Sequence, residues 1–316
     1  MEHEPSESVH RSARRRAWVI AARPQTLPAA AAPVIVGTGF AIHDGVLAVG
    51  PMLAALIGAM LIQIGTNFAN DYYDAEKGVD TDSREGFTRV TQAGLLPPAR
   101  VRVAAFVTFG LAILLGTYLV AVGGVPILIV GLLSVISGIA YAGGPYPFGS
   151  HGLGDGFVFV FFGIIAVTGT YYVQAVTVVT DGFPVTIPAE AITTDVLVAS
   201  IPVGCLATAI LVVNNIRDIE TDRAAGKRTL AVRIGRRYSR LEYGLLLAIP
   251  YVIPLYFVTA GYGTGVLITY LTIPYAVMLY RTVATETGGD ALNPALERTG
   301  KLLAAYSALL AIGVVV

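Results

Sequence analysis

Between Gln63 and Asp74 the sequence passes from apolar residues into a row of amides and carboxylates. Asn67, Asn70, Asp71 and Asp74 stand at i, i+3, i+4 and i+7, so on a helix they share one face, and Gln63 extends that face by a turn. Two carboxylates one turn apart repel each other, and the negative end of the helix dipole lies on the same side, so the row favours a bound cation. Asn214, Asp218 and Asp222, at i, i+4 and i+8, repeat the pattern where a second apolar run ends. Bases follow both rows: Lys77, Arg84 and Arg89 after the first, Arg223, Lys227 and Arg228 after the second. Acids beside bases at a membrane surface suit a metal–diphosphate ligand. Mg²⁺ is a hard cation held by one or two carboxylates, waters and phosphate oxygens, and Arg and Lys take the remaining phosphate oxygens. Solvated charged loops also carry acids and bases, but two matching rows with interleaved amides favour a site.

Other chemistry is narrowed by what the sequence lacks. It has no Walker A loop, dinucleotide-binding glycine turn, zinc-protease helix motif or nucleophile elbow, so nucleotide-driven transport and the common hydrolase reactions lose support. The glycine-rich link from Tyr141 to Asp155 could cradle phosphate, or could be a tight connection bent by Pro145 and Pro147. His151, in that link, is either a base or a hydrogen-bonding spacer. Tyr72, Tyr73, Tyr141 and Tyr146 lie near helix ends on the same side, where aromatic faces could stabilise a carbocation. The lone Cys205 sits in an apolar run, which leaves no disulfide or cysteine metal site.

The elements that must position these residues are membrane helices. Of 316 residues, 55% are hydrophobic and 13% charged, against about a quarter charged in soluble domains. A span needs roughly 20 apolar residues. The apolar runs predict an all-α, polytopic protein of nine spans, at 22–42, 47–70, 101–121, 125–142, 156–179, 196–214, 241–260, 262–280 and 301–316, the last one short. They form a single domain over 1–316, with 1–16 a flexible basic N-terminus. All 21 Lys and Arg residues fall in the N-terminal segment or in the loops after the second, sixth and eighth spans. The positive-inside rule names that face cytoplasmic, which puts the acidic rows on the cytoplasmic side of the cell membrane. No acid is expected mid-span, which argues against a carboxylate-dependent transporter, whose site would sit at the midplane. The second and sixth spans share orientation and an acidic end, a weak internal repeat that predicts two halves facing a central cavity.

Asn70 to Asp74 after a membrane helix, with Asp218 and Asp222 near another, resembles the intramembrane aromatic prenyltransferase (UbiA-type) superfamily over most of the chain. Further stretches are similar to its 1,4-dihydroxy-2-naphthoate branch: Ala22 to Pro28, Arg89 to Gly94, Gly143 to Pro147, His151 to Asp155 and Gly226 to Ala231. The resemblance implies Mg²⁺-dependent transfer of a polyprenyl chain from its diphosphate to dihydroxynaphthoate, with loss of carbon dioxide. It implies a greasy chain open to membrane lipid and no nucleic-acid partner. Asp71, Asp74, Asp218 and Asp222 would be catalytic and, with Asn70, would hold metal. Asn67, Asn70, Lys77, Arg84, Arg89, Tyr141, His151, Asp155, Asn215, Lys227 and Arg228 would bind substrate, with Arg89 or His151 recognising the acceptor carboxylate. Another phenol or a glycerol-lipid alcohol remains an alternative acceptor. The sequence departs from the superfamily at Gly78, where an aspartate often completes the first motif; Asp80 and Asp82 follow instead.

Overall fold

The computed structural model describes residues 7–76, 89–141 and 147–316. Lys77, Arg84, Asp80, Asp82 and Tyr146 lie outside them. Every regular element among the described residues is a helix, with no strand among them. Helix α1 (Glu7–Ala22) is amphipathic and lies against α3 (Val49–Glu76): Ala17 and Ala21 are buried beside Phe68, and Trp18 meets the Phe68 ring edge-on at 5.7 Å. From Glu7 onward the N-terminal segment is helical. The chain turns into α2 (Leu27–His43) at Arg23, which adopts φ 52 ahead of Pro24.

Helix α4 (Pro98–Ala140) has 43 residues, or about 65 Å at 1.5 Å per residue, twice the roughly 30 Å of a bilayer core. It is two crossings. Gly124 breaks it at φ 67, ψ −154, and the halves run back along each other, since a Cβ on Gly138 would stand 3.5 Å from the Phe109 ring. The Val125 N–H donates to Pro184 O at 2.9 Å, and a Cβ on Gly124 would overlap that same oxygen. With α4 counted twice, eight membrane-length helical stretches give nine crossings among the described residues. The remaining elements are α5 (Gly154–Val179), α6 (Thr194–Arg217), the short α7 (Ile219–Ala224), α8 (Leu230–Thr259), α9 (Gly265–Thr285) and α10 (Gly289–Val315).

Three expected boundaries move. Helix α3 continues past 70 to Glu76, so its whole acidic row is helical. Helix α8 starts at Leu230 and bends at Gly235 (φ 78), so the arginines from Arg233 to Arg240 are helical rather than in a loop. The last span is a full 27 residues from Gly289, not a short one from 301.

The main core joins α2, α5, α6, α8, α9 and α10, with Phe40, Val203, Leu206, Val213, Leu303 and Tyr306 buried. Small residues let backbones meet: a Cβ on Gly163 would stand 2.6 Å from Gly204 Cα, and one on Gly39 2.8 Å from Ala311 Cα. Helix α4 by contrast presents Phe106, Leu114, Ile129 and Leu133 outward, as a lipid-facing surface does. Between the α3–α4 side and the α5–α6 side lies one large cavity.

Candidate active site

The cavity measures about 1610 Å³. Its walls are apolar over most of their depth: Ala55, Val120, Ile127 and Val173 lie toward one end, and Leu132, Val135, Phe161 and Phe162 further along. From Ala55 to Asn70 on α3 is about 22 Å along the helix axis. At the Asn70 end the lining turns polar and charged, with Asp74, Arg89, Asn214, Asn215, Asp218, Asp222, Lys227 and Arg228 all on the wall. The two acidic rows, distant in sequence, meet there.

Helix geometry splits the first row. At about 100° per residue, Asn70 and Asp74 lie within about 20° of Gln63, whereas Asn67 and Asp71 are turned about 40° and 80° away. Gln63, Asn70 and Asp74 line the cavity, and Asn67 and Asp71 do not. Asn67 is 3% exposed and donates to Ala22 O and Thr26 Oγ1, both at 2.9 Å, which ties α3 to the bend at Arg23. Asp71 is 1% exposed; its carboxylate accepts from the backbone N–H of Val90 (3.1 Å) and Thr91 (3.2 Å) and from the Thr91 hydroxyl. These bonds fix the turn carrying Arg89, whose guanidinium pairs with Asp74 at the cavity wall. In this structure Asp71 is a positioning residue for Arg89, not a cavity-facing ligand, and Asn67 positions the α1–α2 bend.

The second row bends too. Helix α6 ends at Arg217, Asp218 leaves helical geometry (φ −94, ψ 9), and α7 restarts at Ile219. Asp218 and Asp222 therefore do not lie on one straight helix, yet both reach the cavity. Arg217 forks onto Asp218 with Nε to Oδ1 at 2.7 Å and Nη2 to Oδ2 at 2.6 Å, and reaches Asn214 Oδ1 (2.8 Å) and Asn293 Oδ1 of α10 (2.7 Å). A planar bidentate pair of this kind, shut away from water, holds Asp218 in one orientation. Lys227 Nζ lies 3.5 Å from Asp222. Each cavity-facing acid is thus matched by a base.

The part of the glycine-rich link from 147 on supplies a third wall, through Gly149, Ser150 and His151; Gly143, Gly144 and Pro145 lie outside the described residues. Arg228 N–H donates to Ser150 O at 2.8 Å, and Arg233 donates to His151 O at 2.9 Å and Arg228 O at 3.1 Å, which locks the link to the start of α8. His151 lines the cavity, and its Nδ1 lies 2.8 Å from Pro147 O; a carbonyl can only accept, so Nδ1 carries a proton. Tyr141 lines the cavity beside Gly149 and Gly154. Burial, then the charges of Asp155, Asp222 and Asp74, push its phenol up, so it stays protonated and can donate. Asp155 is buried behind the wall, outside the cavity lining.

Arg217, Arg233, Asn293 and Arg23 escaped the sequence reading. Arg23 faces the cavity, and its signal was available in the Ala22–Pro28 stretch. Arg217 had none, because its neighbours on α10 are far away in sequence.

Among the described residues no three acids, histidines or cysteines cluster tightly enough to enclose a metal. The donor set nonetheless suits Mg²⁺, which takes few carboxylates and several phosphate or water oxygens. Asn70 Oδ1 is a buried, unpartnered hard oxygen one turn from Asp74, and Asp218 and Asp222 are carboxylates on the same cavity.

A family model described as the UbiA prenyltransferase family matches residues 30–293. The 1,4-dihydroxy-2-naphthoate octaprenyltransferase of Escherichia coli is 38% identical over 91% of this chain and 91% of that protein. The enzyme of the same description from Mycobacterium tuberculosis is 37% identical over 90% and 91%. A solved structure described as a UbiA homolog from Archaeoglobus fulgidus bound to DMAPP and Mg²⁺ superposes with a TM-score of 0.59 at 15% identity, covering 93% of this chain and 99% of that one.

Proposed function

From the premise that this chain belongs to the UbiA prenyltransferase family, we propose that it transfers a polyprenyl chain from its diphosphate to 1,4-dihydroxy-2-naphthoate with loss of carbon dioxide. The observation that carries the reading is a cavity whose long apolar part ends at two acid rows, with each acid on its wall matched by a base. The apolar part suits the prenyl chain, and the polar end suits its diphosphate. The wall at α4 suggests how a chain longer than the cavity would continue into lipid.

In this reading Asn70, Asp74, Asp218 and Asp222 would hold Mg²⁺, which when bound neutralises diphosphate charge and so eases departure of the leaving group. Arg89, Lys227, Arg228 and Arg23 would stabilise the charge that builds on the departing oxygens, a role that grows in the transition state. Asp71 would act through Arg89. Tyr141, Phe157 and Phe161 would shield the allylic cation, and the apolar walls would exclude water that would otherwise capture it. The acceptor carbon bearing the carboxylate would attack, and carbon dioxide loss would restore the aromatic ring. His151, on the cavity wall, would steer that carboxylate. The site would face the cytoplasm.

The test is turnover by the purified protein with polyprenyl diphosphate and either dihydroxynaphthoate or 4-hydroxybenzoate, read by mass spectrometry. The expected product is a prenylated naphthoquinol lacking the carboxyl group, formed only while free Mg²⁺ is present. A prenylated product that keeps its carboxylate, or turnover of hydroxybenzoate alone, overturns the acceptor assignment. Full activity in chelator overturns the metal assignment.

A further inference from the structure

Arg23, between α1 and α2, has φ 52 and ψ 70, and it is the one residue other than glycine with positive φ among the described residues. Left-handed backbone disfavours a Cβ, and the residue before a proline is pushed toward extended backbone. Arg23 precedes Pro24 and so bears both constraints. A glycine would make the same bend without the Cβ penalty. The chain carries an arginine there instead, and that arginine lines the cavity. Side chains in such conformations persist where their surroundings over-determine them, and they gather at active sites and ligand clamps.

The surroundings of this bend are saturated with hydrogen bonds. The Arg23 carbonyl accepts from the Thr26 N–H and from the Thr26 hydroxyl, both at 2.9 Å. The same hydroxyl accepts from Gln63 Nε2 at 3.0 Å and from Asn67 Nδ2 at 2.9 Å. A hydroxyl has one proton to donate and two lone pairs, so that of Thr26 is used to capacity. Asn67 Nδ2 donates its second proton to Ala22 O at 2.9 Å. On α10, a Cβ on Gly300 would stand 3.3 Å from Gln25 O, so that helix closes on the bend as well. Asn67 lies three residues before Asn70, about 4.5 Å along α3. The bend therefore stands close to the level of the Asn70 oxygen that suits the metal.

Building on the reading of the polar end as a diphosphate site, we propose that Thr26, Gln63 and Asn67 form a positioning clamp. It holds Arg23 in a strained backbone conformation so that its guanidinium stays on the cavity wall, ready for the departing diphosphate. The three residues act through Arg23. A donor fixed before charge develops needs no reorganisation at that moment, which is where electrostatic stabilisation gains its strength. Strain is exchanged for preorganisation, so stability and activity respond in opposite directions when this backbone is relieved.

The test uses the purified full chain in detergent. Binding of geranylgeranyl diphosphate with Mg²⁺ is read by calorimetry, and turnover of polyprenyl diphosphate with 1,4-dihydroxy-2-naphthoate by mass spectrometry. Arg23→Ala and Arg23→Gly both lose the guanidinium, but only the glycine relieves the backbone. In regular structure a glycine melts below an alanine; here Arg23→Gly should melt about 2 °C or more above Arg23→Ala. Both should bind the diphosphate roughly tenfold more weakly. Both should lose roughly 100-fold in kcat/KM for polyprenyl diphosphate, with KM for the naphthoate within about twofold. Thr26→Val keeps the side-chain shape, removes the hydroxyl and should lose roughly tenfold in kcat/KM; Thr26→Ser should recover it. In an Arg23→Ala background Thr26→Val should lower activity no further, because its effect runs through Arg23. If Thr26→Val does not fold, Gln63→Leu, which removes one donor to that hydroxyl, replaces it in the cycle. An alanine variant that melts at or above the glycine variant overturns the proposal. So do additive activity losses in the cycle, since a merely structural loss is indifferent to the guanidinium, and so does undiminished diphosphate binding by Arg23→Ala. A wild type that binds the diphosphate but prenylates no naphthoate overturns the acceptor reading, and the melting and binding comparisons then decide the clamp.

Discussion

Asp71 and Asp74 look equivalent by type and spacing, and the structure gives them different work. Asp74 faces the cavity and pairs with Arg89; Asp71 faces protein and holds the Val90–Thr91 backbone. The spacing placed both on one helical stripe, which is correct. It could not divide the stripe, because the amides and acids on its two edges are equally polar and which edge meets the cavity depends on the turn at 89–91. Two substitutions separate the roles. Asp74→Asn should cut the transfer rate by roughly 100-fold or more, the scale seen when one electrostatic stabiliser is removed, and should raise the Mg²⁺ concentration needed for half activity while the thermal midpoint holds. Asp71→Asn keeps size but loses acceptor strength toward two N–H groups, at a cost of about 1–3 kcal/mol. Its thermal midpoint in detergent should drop, with its Mg²⁺ dependence unchanged. Equal Mg²⁺ shifts in both variants would return Asp71 to the metal. Arg217 marks the limit of residue-level reading: an arginine preceding an aspartate is common, and only the approach of Asn293 from α10 shows that it is buried and fixed.

At the scale of elements, apolar runs gave the number and order of crossings, including the break inside α4, because Gly123 and Gly124 interrupt an otherwise continuous run. Boundaries failed where a helix is amphipathic rather than apolar. Helix α8 begins with arginines and α10 with Asn293, Pro294, Glu297 and Arg298, so hydropathy assigned both starts to loops. Those polar first turns are what carry Arg233 to His151 and Asn293 to Arg217. The bend at Gly124 is the element most sensitive to change. Its left-handed φ costs a side chain about 1–2 kcal/mol, and a Cβ would also collide with the Pro184 carbonyl that accepts from Val125. Gly124→Ala should therefore lose at least about 2 kcal/mol, read as a lower unfolding temperature in detergent. Gly110→Ala, in the same helix with open space around its Cβ position, is the control; it should be neutral or gain up to about 1 kcal/mol from helix propensity. Matching losses in the two would mean that the bend tolerates a side chain.

Across the whole molecule, charge and chemistry are sorted to one end. Arg102 stacks over the Tyr72 ring at 5.7 Å beside the acidic end of α3, and Arg228 and Arg233 frame the link that walls the cavity. The opposite end gathers acids held by phenols: Tyr171 donates to Asp44 at 2.6 Å, and Tyr256 and Tyr262 donate to Asp195 at 2.7 and 2.9 Å. This asymmetry was legible in sequence because it needs only the order of spans and the positions of Lys and Arg. The cavity between the halves was legible only as a consequence of the weak repeat; its shape depends on close approaches such as Gly163 to Gly204 that no spacing announces. The positive-inside rule predicts an orientation: the N-terminus and the acidic rows in the cytoplasm, the Asp44–Asp195 end outside, and, after an odd number of crossings, the C-terminus outside. Cys205 is buried, and Cys205→Ala leaves a background without thiols. In that background Thr180→Cys, at the end of α5 beside the outer loop, should react with a membrane-impermeant maleimide on intact cells. Ser6→Cys should react only after the membrane is permeabilised. Labelling of Ser6→Cys alone on intact cells would invert the orientation and move the diphosphate site outside, and equal labelling of both would require an even number of crossings between them.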